Sequence, residues 1–238
     1  MTADRRRRSW GGVAILVVIG AAVGAWAVAA SPLFHVRDVQ VRGNRHLSPS
    51  EVVRLAGIGD RANLLTVQPD RVLRRLSRSP WVRTAALRRN LPSTLIVTVE
   101  ERSPVAWVRQ PRGIAVVAAD GTVLTRRQEP PRGIVDIGRS TARLRPGDRL
   151  LGLEDPLTVA GSLPPGLRRR VERISMRRGE VLLRLRDAVR ALYGETGALE
   201  TKNAALARVL RWAGEQGAEL LYVDLRVPGN PAVRIRGT

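Results

Sequence analysis

The residues that could do chemistry are few. The chain has two histidines, His35 and His46, and no cysteine. Without cysteine there is no thiolate nucleophile, no disulfide and no sulfur-based metal site. A histidine-based metal centre needs three or four converging ligands. His35 sits just behind a long apolar run and His46 in a turn-forming stretch, so each reads as a solvated loop histidine. Neither H-E-x-x-H nor G-x-S-x-G occurs. The sole lysine, Lys202, has Leu199 three residues before it, which rules out the Ser-x-x-Lys of acyl-transferring serine enzymes. Glu100 and Glu101 are adjacent carboxylates, but neighbours on a strand point to opposite faces and cannot share a substrate. Glu154 and Asp155 suit the first turn of a helix. Asp224 reads as an ordinary strand or hairpin charge. No enzyme, cofactor or metal is expected from this set, and binding is the remaining chemistry.

One segment offers a binding mechanism. Ala232, Val233, Arg234, Ile235 and Arg236 read as a final strand behind the turn Pro228-Gly229-Asn230-Pro231. At a sheet edge its N–H and C=O groups would be free on one side, and a partner segment could add as a further strand. The alternative is an edge blunted by Arg234 and Arg236 and used for nothing, because edge charges also serve to prevent pairing.

The elements that would position this edge can be read from patterning. Val36 to Arg42 is a valine-rich strand closed by Gly43-Asn44. Ser48-Pro49-Ser50-Glu51 has the form of a capping box with proline at the first helical position. Val52, Val53, Leu55 and Ala56 then populate a short helix, which Gly57 and Gly59 end. Pro69 to Leu76 reads as a second helix, with Asp70 in its first turn and Arg74 and Arg75 near its end. Trp81 to Arg89 and Thr94 to Glu101 read as strands about the turn Asn90-Leu91-Pro92-Ser93. The order is strand, helix, helix, strand, strand, with the helices on one face of a three-stranded sheet.

From Ser103 onward the strands become short. Val105–Val108, Ile114–Ala118 and Thr122–Thr125 follow, the last two joined by Asp120-Gly121, a two-residue hairpin signal. Arg126–Arg132 reads as a loop and Leu157–Ser162 as a short helix. Arg170–Met176 and Glu180–Arg186 form a strand pair around Arg178-Gly179. Ala198 to Gln216 is a helix whose stripe is Leu206, Val209, Leu210 and Ala213, stopped by Gly217. Leu220 to Val227 is a strand ahead of the last one.

At the other end, Gly11 to Ala30 carries no charge and follows Arg5, Arg6, Arg7 and Arg8. A helix of that length rises about 30 Å, the thickness of a bilayer's hydrocarbon core. The arginines place the N-terminus in the cytoplasm and the bulk outside. A cleaved signal peptide is the other reading, with Ala27-Val28-Ala29 as its cleavage site, but the run exceeds the usual apolar region of a signal. Net charge is +20, almost all of it arginine. The arginines are scattered, and no zinc-finger or aromatic RNA-binding signature accompanies them, so specific nucleic-acid binding is not expected. Attraction to anionic lipid or acidic wall polymer fits that topology better.

Four stretches then resemble a known family. They are Val39-Gln40-Val41-Arg42-Gly43-Asn44, Ser79-Pro80-Trp81-Val82, Leu91-Pro92-Ser93-Thr94-Leu95 and Val99-Glu100-Glu101-Arg102-Ser103-Pro104-Val105-Ala106. Together they look like the POTRA module of the FtsQ/DivIB cell-division proteins. The tail from Tyr222 to Arg234 is similar to the closing segment of that family's β-domain. The resemblance implies an α+β chain in five parts: a basic cytoplasmic tail over 1–10, a transmembrane helix over 11–30, a connector over 31–35, a POTRA domain (β-α-α-β-β) over 36–102, and a mixed, mainly β domain over 103–238 with a long packing helix near its C-terminus. It implies a plasma-membrane, single-pass protein of the division septum. Its partners would be FtsB/DivIC- and FtsL-type proteins, with other division proteins received by the POTRA module, where Val39 to Arg42 is an edge-strand candidate. By position, the expected contacts are Tyr222, Val223, Asp224, Leu225 and Arg226 together with Ala232, Val233, Arg234, Ile235 and Arg236. Arginines 226, 234 and 236 would suit acidic partner residues. The alternatives are a POTRA-bearing secretion component, which would be expected to carry further repeats or a barrel, and a basic polymer-binding membrane protein.

Overall fold

A computed structural model describes residues 15–24, 31–59 and 62–236. Residues 15–24 are helical and exposed; the rest of the apolar run expected to span a membrane, 11–14 and 25–30, and the whole basic tail lie outside the described residues. Among the described residues no helix is long and apolar enough to cross a membrane. The chain divides into two compact units, Met1–Glu101 and Arg102–Thr238.

The first unit holds β1 (Asp38–Arg42), α1 (Pro49–Ala56), α2 (Pro69–Leu76), β2 (Val82–Asn90) and β3 (Thr94–Glu101). The sheet order is β1-β3-β2, with β1 parallel and β2 antiparallel to β3. The capping box at α1 is complete: Ser48 Oγ accepts from the Glu51 N–H and Glu51 Oε2 accepts from the Ser48 N–H at 2.8 Å. Gly57 ends α1 at φ 65°, the left-handed geometry that glycine adopts without strain. One apolar cluster of Val52, Ala56, Val72, Leu76, Val82, Val97 and Val99 joins the helices to one face of the sheet.

Glu101 fastens the loop between β1 and α1. Its carboxylate accepts from the N–H groups of Arg45, His46 and Leu47 at 3.0, 2.7 and 3.0 Å. His46 Nδ1 lies 3.2 Å from the same carboxylate, and its ring stacks on Trp81 with centroids 4.5 Å apart. His46 is an exposed loop residue, as expected, and its ring also clasps Glu101 and Trp81. Burial opposes the Glu101 charge, but the hydrogen bonds outweigh it and hold the carboxyl below the ordinary glutamate value.

The second unit is a nine-stranded mixed sheet in the order β12-β11-β10-β9-β8-β7-β4-β5-β6. Its strands are β4 (Pro104–Arg109), β5 (Ile114–Ala118), β6 (Val123–Arg127), β7 (Val135–Arg139), β8 (Val171–Arg177), β9 (Glu180–Leu185), β10 (Arg190–Gly194), β11 (Leu220–Asp224) and β12 (Ala232–Ile235). The helices are α3 (Glu154–Ser162), α4 (Pro165–Arg170) and α5 (Leu199–Gln216). Their apolar faces, including Leu157, Val159, Leu167, Leu206 and Val209, share one core with sheet residues such as Val117, Ile137, Leu183 and Val223. A buried polar chain crosses that core. Tyr193 Oη donates to Asn203 Oδ1 at 2.9 Å, and Asn203 Nδ2 donates to the Ser162 carbonyl at 2.9 Å, tying β10, α5 and α3 together.

Strands β7 and β10 and helix α4 are not among the sequence expectations. β7 is joined to β8 through a single parallel residue pair, Asp136 and Arg173. An ion pair reinforces the same point, with Arg173 Nη2 2.7 Å from Asp136 Oδ2. β10 has a parallel neighbour in β11, across α5. β10 also pairs antiparallel with β9 across the short turn 186–189, so distant pairing leaves little local pattern for β7 alone.

Candidate functional site

The expected contact residues fall on β11, β12 and the turn between them. Gly217, at φ 62°, ends α5 and turns the chain into β11. β11 lies parallel to β10 on one side and antiparallel to β12 on the other. The register sets Tyr222 opposite Arg234, Val223 opposite Val233 and Asp224 opposite Ala232. β12 is the edge of the sheet, and all four of its residues are exposed.

The edge has a defined polarity. The Arg236 N–H donates inward to the Glu219 carbonyl at 2.8 Å. Amides alternate direction along a strand, so those of Val233 and Ile235 point outward, away from β11. Val233 is 42% exposed and Ile235 47% exposed. Val233 also lines a groove of about 270 Å³ with Arg208, Val209 and Trp212 of α5 and with Pro231. Trp212 is 43% exposed. The helical pattern placed Val209 and Ala213 on the core stripe; a large aromatic one position off that stripe was the available signal for this groove.

The structure separates the expected contacts. Val223 and Leu225 are fully buried in the core, so their side chains support the edge instead of presenting a surface. Tyr222 and Asp224 are half-buried. Arg226 does not stand free: it is 2.7 Å from Asp224 Oδ2 and 3.6 Å from Glu180 Oε1. The hydrogen bonds from Arg226 hold the Asp224 carboxyl below its ordinary value and, in turn, raise the guanidinium. Arg236 pairs with Glu219 at 2.5 Å. Of the three arginines expected to meet a partner, Arg234 alone has no carboxylate within ion-pair distance among the described residues. The cause is sequence proximity: Asp224 sits two residues from Arg226, and antiparallel pairing brings Glu219 to Arg236.

The other residues weighed for chemistry are placed apart. Glu100 accepts from Thr84 Oγ1 at 2.9 Å on one face of β3, while Glu101 takes the loop amides described above. Glu154 accepts from the Gly152 N–H at 2.9 Å ahead of α3. His35 forms an isolated bridge with Asn63. Lys202 is buried and donates to the Glu195 carbonyl at 2.7 Å. Among the described residues no three histidine, aspartate or glutamate side chains gather into a possible metal site.

A POTRA-type module followed by a β-rich second unit with a packing helix is the class this fold defines. Residues 34–102 match the family model described as POTRA domain, FtsQ-type. Over 97% of its length the chain is 30% identical to cell division protein FtsQ of Streptomyces venezuelae, covering 87% of that protein. It is 29% identical to FtsQ of Myxococcus fulvus over 94% of this chain and 81% of that protein. With FtsQ of Corynebacterium glutamicum it is 29% identical over 53% of this chain and 55% of that protein. The chain belongs to the FtsQ family of cell division proteins.

Proposed function

We propose that this chain is a non-catalytic scaffold of the division machinery. It holds FtsB/DivIC- and FtsL-type partners outside the membrane and links early and late division proteins to septal wall synthesis. In this reading residues 1–10 are a cytoplasmic tail, 11–30 a membrane anchor, 36–102 the POTRA domain and 103–238 the β-domain. The protein is then a single-pass component of the division septum.

The observation that carries the reading is the free edge of β12. A partner strand would take the outward amides of Val233 and Ile235 as donors, and backbone bonds would supply most of the affinity. An acidic residue opposite Arg234 would add choice of partner more than strength, because exposed ion pairs contribute about 0–1 kcal/mol. The POTRA domain would receive other division proteins, with β1 as a candidate edge.

The test replaces Val233 with Asp, and separately Tyr222 with Asp, and measures partner capture and recruitment to the septum as separate readouts. Loss of capture with retained recruitment supports the reading. Unchanged capture by both variants, each shown to be folded, removes β12 as the site. A salt titration separates the polymer-binding alternative, because attraction between exposed charges collapses at high salt and strand addition does not.

A further inference from the structure

On the second unit, away from β12, the loop 130–134 faces the start of β8 and the end of β9 across a pocket of about 500 Å³. Trp107, Pro130, Pro131 and Ile134 form its apolar walls, and Arg132, Arg169, Arg186 and Glu172 line the rest. Trp107 belongs to a small apolar cluster with Ile114 and Val116, distinct from the main core.

The charge in this pocket is unbalanced. Glu172 is engaged by Arg184 Nη2 at 2.7 Å, so its charge is already matched. Arg132, Arg169 and Arg186 have no carboxylate within ion-pair distance among the described residues. The guanidinium of Arg109 adds a further positive charge nearby, 5.6 Å from the Trp107 ring centroid. Arg186 is held in place, because its Nε donates to the Arg169 carbonyl at 2.9 Å and leaves the two terminal nitrogens to other partners. Gly133 adopts φ 73°, and the Arg169 stem lies 3.9 Å from where its Cβ would be.

We propose that this pocket binds a phosphate or pyrophosphate group. Guanidinium groups meet the oxygens of a phosphate in paired hydrogen bonds, and several of them match its double charge better than they match one carboxylate. The group is carried by a lipid headgroup or by a soluble compound.

The test titrates the full-length protein with sodium pyrophosphate at constant ionic strength and follows the heat of binding. Saturable binding is expected, weakened at least about tenfold by Arg132→Ala and by Arg186→Ala and unchanged by Arg143→Ala. Arg132 lies on the exposed loop, so its variant keeps the test valid if loss of Arg186 disturbs the fold. Vesicles containing phosphatidic acid identify the source: binding abolished by Arg132→Ala supports the pocket with a lipid ligand, and pyrophosphate binding without vesicle binding supports it with a soluble one. The proposal is overturned by a lack of saturation together with vesicle binding indifferent to Arg132→Ala, by equal weakening in Arg143→Ala, or by stronger binding of a glutamate hexapeptide than of pyrophosphate.

Discussion

The nine-stranded sheet ends differently at its two edges. At β6 the chain covers the start of its own edge. The Val123 N–H donates to the Asp148 carbonyl at 2.9 Å, the Gly147 N–H donates to the Val123 carbonyl at 2.9 Å, and Thr122 bridges to Arg149. Val123 and Leu124 are accordingly buried. At β12 no such segment lies outside the strand among the described residues, and the whole strand is exposed. Exposed edges promote unwanted pairing, and proteins ordinarily cover them. The open edge at β12 is the one the proposed partner strand would use.

The largest expected effect comes from removing an outward donor. Ile235→Pro deletes an N–H that points away from β11, a substitution edge strands tolerate. Partner affinity should fall by about tenfold or more, with thermal stability nearly unchanged in a melting experiment. Arg234→Pro sharpens the contrast, because by the same alternation it removes an inward bond and should lower the melting temperature. Next is the covered edge. Gly147 sits at φ 95°, so Gly147→Val forces a strained backbone, at about 1–3 kcal/mol. Faster amide exchange at Val123 and greater self-association on sizing should follow.

The interior of the second unit offers a control remote from either edge. Tyr193→Phe leaves the buried Asn203 oxygen without its donor and should cost about 1–3 kcal/mol in denaturant unfolding, with partner capture intact. The first unit supplies a pH control. Its Glu101 carboxyl is depressed, so its contribution is present above the unfolded glutamate value near 4.5 and is lost as pH falls through the lower folded value. Glu101→Gln should flatten that acid limb. The smallest effect belongs to Arg234→Ala, about 1 kcal/mol or less in affinity, read chiefly as a slower association rate at low salt.

The first unit was the more legible in the sequence. Its capping box, its helix-ending glycine and the valine alternation of β3 are local signals, and the structure keeps each. In the second unit the hairpin at Asp120-Gly121 and the stripe of α5 were equally local. β7 left little local signal because its parallel partners β4 and β8 lie far along the chain, whereas β10 had one in the short turn that joins it to β9. α4 was missed because Pro164-Pro165 read as a break when it starts a helix. The final strand was visible, but which of its neighbours faced outward was not. Val223 and Leu225 look like surface strand residues until β10 and α5 enclose them. The arginines at 226 and 236 look available until Asp224, Glu180 and Glu219 are seen beside them.

The most direct measurement is residue-resolved amide exchange of the full-length protein with and without an FtsB/DivIC-type partner. The account predicts that Val233 and Ile235 become protected on binding, while Val123 at the covered edge is unchanged. Protection confined to other residues, with Val233 and Ile235 exchanging as fast as before, would contradict it.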